Sequence, residues 1–212
     1  MSEFVNTIDL LGDDVVMNSI IDRSITEFKD NKVTSIGQYA FYGCTALANV
    51  DLPNVTTLNG EVFNNCTSLV NIALPNVTRL AGKSIFQSCK SLKKIRLPEA
   101  LNIPNYTFHS CTNLEIIDLP KLTSIAWDIC IYCTALKAFI LRNDETVCTV
   151  AGTNAFSSSG IGKKTGYIYV PSALYDEYIV ATNWSTFASQ FRKLEDYTVD
   201  GTTTGELDES KI

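Results

Sequence analysis

The feature that most constrains this chain is one phrase repeated five times between Thr34 and Asn143. Its best copy runs Ala40-Phe41-Tyr42-Gly43-Cys44-Thr45-Ala46-Leu47 and closes on Val50-Asp51-Leu52-Pro53. Cysteines recur at Cys44, Cys66, Cys89, Cys111 and Cys133, at spacings of 22, 23, 22 and 22 residues. Phe41, Phe63, Phe86 and Phe108 stand three places before four of them. Leu47, Leu69, Leu92, Leu114 and Leu136 follow three places after, and Pro53, Pro75, Pro98 and Pro120 keep the same beat. Such a period specifies a stack. One unit cannot bury its own apolar face, so each must lie against the next.

Each unit contains L-x-x-[VIF]-x-L: Leu47/Val50/Leu52, Leu69/Ile72/Leu74, Leu92/Ile95/Leu97, Leu114/Ile117/Leu119 and Leu136/Phe139/Leu141. Side chains alternate along a strand, so residues 50 and 52 face inward while 49 and 51 face outward. The proline ends the strand, having no N–H for the ladder. A second apolar segment (Ile36, Leu58, Leu80, Ile103, Ile125) lies on the far side of each coil, and the Ala-Phe turn carries one aromatic per rung into the core.

With their I-x-x-x-A-F-x-x-C-x-x-L-x-x-[IV]-x-L-P pattern, residues 34–144 resemble the BspA-like leucine-rich repeats. The resemblance implies a β-rich α/β solenoid, a right-handed coil with N- and C-terminal caps. It also implies surface adhesion to host or bacterial partners. The asparagine usual after the strand is replaced by Val55, Val77, Ala100 and Leu122, so no asparagine ladder is expected. In the fifth repeat Cys130 replaces the phenylalanine and Arg142 the proline.

The expected divisions are an N-terminal cap (1–33), five repeats (34–144), a degenerate sixth repeat and loop (145–166), a C-terminal cap (167–197) and an acidic tail (198–212). In the first cap, Val16, Met17, Ile20 and Ile21 have helical spacing behind Gly12 and Asp13, and Ile25–Phe28 reads as a strand. In the second, Tyr167–Val170 reads as a strand. Pro171 then opens a helix with a Leu174, Tyr175, Tyr178, Ile179 stripe, and Asn183 reads as the N-cap of another. The closing string IYVPSALYDEYIVATNWSTFASQFRKLEDY resembles the final unit of many BspA-like proteins of gut bacteria and their phages. The Thr/Gly/acid-rich tail is expected to be mobile, or ordered only on a partner.

Several chemistries are weighed and set aside. Stacked rungs put equivalent cysteines about 4.8 Å apart, beyond the ~3.5–4.5 Å Cβ separation of a disulfide. The thiols therefore read as a structural ladder of small apolar groups. Cys130-x-x-Cys133 lacks the further ligands that a zinc site needs. His109 sits two residues from Cys111 at a turn position that varies between repeats (Tyr42, Asn64, Gln87, Ile131), which reads as surface. Gly160-Ile161-Gly162-Lys163-Lys164-Thr165 lacks the glycine a phosphate loop needs at position 157, which is Ser157. No catalytic residues, metal site or cofactor is read; the chain is expected to be no enzyme.

Charge is the one feature above background. The chain carries a formal −6, which argues against nucleic acid and anionic membrane as partners. No apolar run is long enough to insert in a membrane. Yet the third repeat, 78–100, holds Arg79, Lys83, Lys90, Lys93, Lys94 and Arg96 against Glu99 alone. Lys94 and Arg96 face outward, and Ile116, Asp118, Ala138 and Ile140 continue that face. The candidate binding residues are therefore Arg79, Lys93, Lys94, Arg96, Ile116, Asp118 and Ile140. The alternative is that the C-terminal cap or tail folds over the apolar ones.

The expected function is an extracellular adhesin or receptor-binding module for a protein or an anionic cell-surface glycan or polymer. A scaffolding role in a homo-oligomer or larger assembly is the alternative. Residues 1–7 show neither a basic nor an apolar signal-peptide segment, which points to a phage virion component, since virion proteins need no leader.

Overall fold

The computed structural model describes residues 23–212, together with two upstream strands, β1 (Ile8–Leu11) and β2 (Asp14–Met17). Two rows of short parallel strands run the length of the molecule. One row contains β3 (Glu27–Lys29), β5 (Asn49–Asp51), β7 (Asn71–Ala73), β9 (Lys94–Arg96), β11 (Ile116–Leu119), β13 (Ala138–Leu141), β15 (Tyr167–Val170) and β16 (Phe191–Lys193). The other contains β4 (Ser35–Ile36), β6 (Thr57–Asn59), β8 (Arg79–Ala81), β10 (Asn102–Ile103), β12 (Ser124–Ile125) and β14 (Thr149–Val150). The register follows the sequence period: Val50 pairs with Ile72, Ile117 with Ile95 and Phe139, and Leu58 with Ile36 and Leu80. This is a parallel β-solenoid with little helix; the longest α-helical stretch among the described residues is α1 (Tyr175–Tyr178).

The helix expected from Asp13 is corrected over Asp14–Met17, which is a strand. It pairs antiparallel with β1 and parallel with β4. The open edge of the second strand row offers a ladder partner there, and Val15 and Val16 suit a strand, so tertiary pairing overrides local periodicity. The remainder of that expectation, at residues 12–13 and 18–22, lies outside the described residues.

The core is a column of aromatic rings beside a column of thiols. Phe41, Phe63, Phe86 and Phe108 are fully buried, and successive rings stack at 5.0, 5.5 and 5.8 Å within 16° of parallel. Phe28 closes the column edge-on at 4.9 Å. In the fifth rung Cys130 takes the ring's place, and Phe139 takes the strand position held elsewhere by Val50, Ile95 or Ile117. Small and large have changed places, which keeps the rung's volume. Phe139 then meets Phe156 at 5.0 Å.

All seven cysteines are buried thiols. Four of the ladder thiols donate to a phenylalanine carbonyl of the preceding rung: Cys66 to Phe41, Cys89 to Phe63, Cys111 to Phe86 and Cys133 to Phe108, at 2.9–3.2 Å. Burial pushes Cys66 and Cys148 up to about 12, and Cys89, Cys111 and Cys130 well above the ordinary thiol value. Two results are expected. Ellman's reagent at pH 8 leaves the native thiols unlabelled and labels them after denaturant is added. Stability also falls on the alkaline side. Below pH 9 the thiols are protonated in both states. Between about 9 and 12 the unfolded chain ionises while the folded chain does not, removing about 1.4 kcal/mol per pH unit for each such thiol. A urea midpoint that stays flat from pH 8.5 to 10.5 would contradict this account.

The C-terminal cap closes the second strand row with side chains. β14 is its last strand, and the indole of Trp184 donates to the Cys148 carbonyl at 2.5 Å. The Cys148 N–H donates to the Tyr178 hydroxyl, and the Asn183 amide donates to the Val150 carbonyl, both at 2.9 Å. These contacts satisfy edge groups that a seventh rung would otherwise take. Asn183 therefore does not serve as the expected N-cap: its φ is +64°, it makes no capping hydrogen bond, and the segment after it, Trp184–Gln190, is 3-10 rather than α. Gly160 is required by proximity rather than by a ligand, because a Cβ there would lie 1.9 Å from the Leu136 carbonyl oxygen.

Candidate functional site on the outward strand face

The first strand row presents its alternate side chains outward, and this face divides into two halves. On the first, Glu27 and Lys29 of β3, Asp51 of β5, and Asn71 and Ala73 of β7 are exposed, while Asn49 is half-buried. Lys29 pairs with Glu27 at 2.8 Å, and the Asn71 amide donates to the Asn49 carbonyl oxygen at 2.8 Å. With Lys93 and Lys94 these residues line a shallow groove of about 510 Å³.

The groove ends where the ladder is interrupted. Both strand rows split around the third repeat: β7 is not paired with β9, nor β8 with β10. The cause is one extra residue. Five positions separate Leu58 from Phe63, but six separate Leu80 from Phe86. The extra residue is accommodated at Gly82, whose φ is +117° and whose Cα would carry a Cβ only 2.9 Å from the Gly60 Cα. Beside the seam Ile72 is half-buried, whereas its counterparts Val50, Ile95, Ile117 and Phe139 are buried.

The second half of the face is covered. The tail pairs back on itself through Thr198 and Leu207 and ends in a 3-10 turn, Glu209–Lys211. Leu207 and Ile212 pack on a cluster of Ile116, Ala138, Ile140, Tyr169 and Leu194. Arg142, with 4% of its side chain exposed, donates through Nε to Asp118 at 2.9 Å. Its Nη1 donates to the carbonyls of Thr203 and Gly205 at 2.6 and 2.8 Å. Asp118 also receives Arg96 at 3.1 Å, and Lys94 pairs with Glu209.

The structure thus separates the candidate residues. Lys93 and Lys94 stand at the margin of the bare groove, and Lys94 touches both halves. Arg96 is exposed but paired. Ile116, Asp118 and Ile140 are buried beneath the tail, which corrects the reading of them as an open surface. Arg79 lies on β8, in the other strand row, and does not join this face. The expectation of a mobile tail is corrected too: Leu207 and Ile212 pack on the chain and Glu209 meets Lys94, while Val199 stays exposed. Glu27, Lys29, Asn49 and Asp51 were not singled out as binding residues, although the strand alternation places the last two outward.

Elsewhere the chemistry is modest. His109 lies edge-on to Tyr106 and Tyr132, with Nδ1 2.9 Å from the Ser110 hydroxyl, and burial lowers its pKa below the ordinary histidine value. The Cys111 thiol points instead to the Phe86 carbonyl, so the two do not form a nucleophile pair. Among the described residues, no three His, Cys, Asp or Glu side chains gather as metal ligands would. No helix among them is long and apolar enough to cross a membrane.

Residues 34–162 match the BspA type leucine-rich repeat region in 6 copies. The chain belongs to the BspA-type leucine-rich repeat family. This BspA-type chain is similar to a leucine-rich cell surface protein of Faecalibacterium prausnitzii, with 21% identity and a TM-score of 0.59 over 74% of this chain and 50% of that one. A leucine-rich repeat protein of Eubacterium ventriosum is 21% identical, with a TM-score of 0.48 over 65% and 44% of the two chains. At 21% identity the likeness to the Faecalibacterium protein is one of fold. The chain spans about half the length of the Faecalibacterium protein. No curated protein matches the sequence.

Proposed function

We propose that this BspA-type chain is a non-enzymatic binding module, an adhesin or receptor-binding protein, and that it recognises an exposed protein loop on a cell surface through the bare half of its outward face. The observation that carries this is the groove over β3, β5 and β7. Among the described residues it is open, and it offers acids, amides and lysines side by side. A mixed polar lining with both charge signs suits a protein loop better than a uniformly anionic polymer. Membership of a repeat family whose solenoids present extended surfaces supports the same reading. So does the likeness to a protein described as a cell surface protein.

The test is binding of the labelled protein to intact bacterial cells, with and without prior protease treatment of the cells. A Lys29→Glu/Lys93→Glu variant is run alongside. Binding that the substitutions weaken at least about tenfold, that falls with salt and that is lost on protease-treated cells is the expected result. Binding that survives protease treatment of the cells moves recognition to a glycan. Binding indifferent to the substitutions removes this groove from the account.

A further inference from the structure

We propose that the face of β9, β11 and β13 is a second docking surface, occupied in cis by the tail, and that it accepts from another protein an acidic, turn-forming segment with an apolar residue two positions before a carboxylate.

The occupant in place shows what the surface reads. Arg142 hydrogen-bonds the tail through main-chain carbonyls, which a segment of any sequence carries. Sequence preference is left to two positions, the apolar pocket under Leu207 and the lysine that meets Glu209. The receptor side is preorganised. Asp118 holds the guanidinium of Arg142 from below and Arg96 from the side, so the donors stand ready without the tail's help. Arg142 occupies the repeat position that is proline in the four preceding rungs: Pro53, Pro75, Pro98 and Pro120.

The tail, by contrast, behaves as a ligand rather than as a layer of the fold. It contributes one isolated bridge and one 3-10 turn, and a cleft of about 460 Å³ remains between it and the strands. Its formal charge over 198–212 is −3, set against the basic third repeat. Lys94 also lines the bare groove, so a carboxylate bound there competes with Glu209 for the same ammonium group. This inference does not depend on what the bare groove binds, and its test leaves Lys29 and Lys93 unchanged.

The experiment uses the full chain and a fluorescent peptide of residues 199–212. In the unaltered protein the tethered tail competes at an effective concentration of order mM. A Leu207→Asp chain, with its own tail loosened, is expected to bind the peptide at least about tenfold more tightly in fluorescence anisotropy. Adding Lys94→Glu to that chain weakens binding several-fold, and a peptide carrying the same Leu207→Asp change does not bind. In hydrogen exchange, amides of 199–212 in the unaltered chain exchange well before those of β11 and β13. Three outcomes overturn the proposal: equal binding to the altered and unaltered chains, no binding to a Leu207→Asp chain that melts normally, or tail amides protected as long as the strands. Unfolding of the Leu207→Asp chain also overturns it, since the tail would then be an integral layer.

Discussion

Phe63→Ala is expected to cost about 3–5 kcal/mol of folding stability, the range of large core truncations with little relaxation. The reason lies in the lattice around the ring. Phe63 is fully buried between Phe41 and Phe86 at centroid distances of 5.0 and 5.5 Å. The rungs cannot close over a missing ring, because backbone bonds set their spacing. Phe63 N–H donates to the Ile85 carbonyl and Phe41 N–H to the Val62 carbonyl, both at 2.9 Å. The cavity therefore persists, and both stacking partners lose a face. Phe28→Ala is expected to cost less, since that ring lies at the end of the column, is 8% exposed and makes one edge contact.

A solenoid adds a second signature. Each rung touches its neighbours alone, so a weakened rung can uncouple the two sides of the stack. Both tryptophans, Trp127 and Trp184, lie C-terminal to the altered rung. In urea, fluorescence and far-ultraviolet circular dichroism should report one transition for the unaltered protein. For Phe63→Ala the circular dichroism transition should begin at lower urea. A loss under about 1 kcal/mol, or coincident transitions shifted together only slightly, would show that the ring is not a keystone of the stack.

How much of this was legible in the sequence follows from which forces are periodic. The cysteines, phenylalanines, leucines and prolines repeat because every rung solves the same packing problem. Their positions therefore gave the strands, the inward faces and the thiol ladder. The extra residue of the third repeat was visible in the spacing, but its effect needed coordinates. The strand pairing shows where the ladder breaks, and the φ of Gly82 and its approach to Gly60 show where the extra residue is taken up. The caps were less readable, because each solves its problem once. Val15 and Val16 follow a vacant edge rather than a helical stripe, and Asn183 spends its amide on Val150. The candidate site was half legible. Alternation placed Lys94, Arg96, Ile116 and Ile140 on one face, and the choice between an open strip and a covered one was left open. That choice turns on Arg142, which appeared in the sequence only as a missing proline. Its partners, the carbonyls of Thr203 and Gly205, lie some sixty residues away and carry no side-chain signature.

Arg142 and Asp118 give the second large effect. Asp118→Ala would leave a guanidinium that is 4% exposed with two carbonyl partners and no counter-charge. Removing one partner of a buried ion pair costs about 3–5 kcal/mol where the remaining charge stays buried. Arg96 loses the same partner at little cost, because half of its side chain is in water and exposed pairs contribute about 0–1 kcal/mol. For Arg142 the chain has a way out: if the tail lifts, the guanidinium reaches solvent. The penalty should therefore appear first as tail release and only then as lost global stability. Cleavage by a glutamate-specific protease after Glu206 and Glu209 measures this. Its rate is expected to rise at least about tenfold in Asp118→Ala, the equivalent of ~1.4 kcal/mol in the opening equilibrium, while the melting temperature falls less than a 3–5 kcal/mol loss would require. The double variant Asp118→Leu/Arg142→Met removes both charges and leaves apolar volume in the pocket. It should recover most of the melting temperature while the tail stays cleavable, because the contacts to Thr203 and Gly205 are gone. If Asp118→Ala leaves the cleavage rate unchanged, the carboxylate does not hold Arg142 in place. If the double variant restores protease resistance, the tail is held by Leu207 and Ile212 alone, and the guanidinium is a passenger.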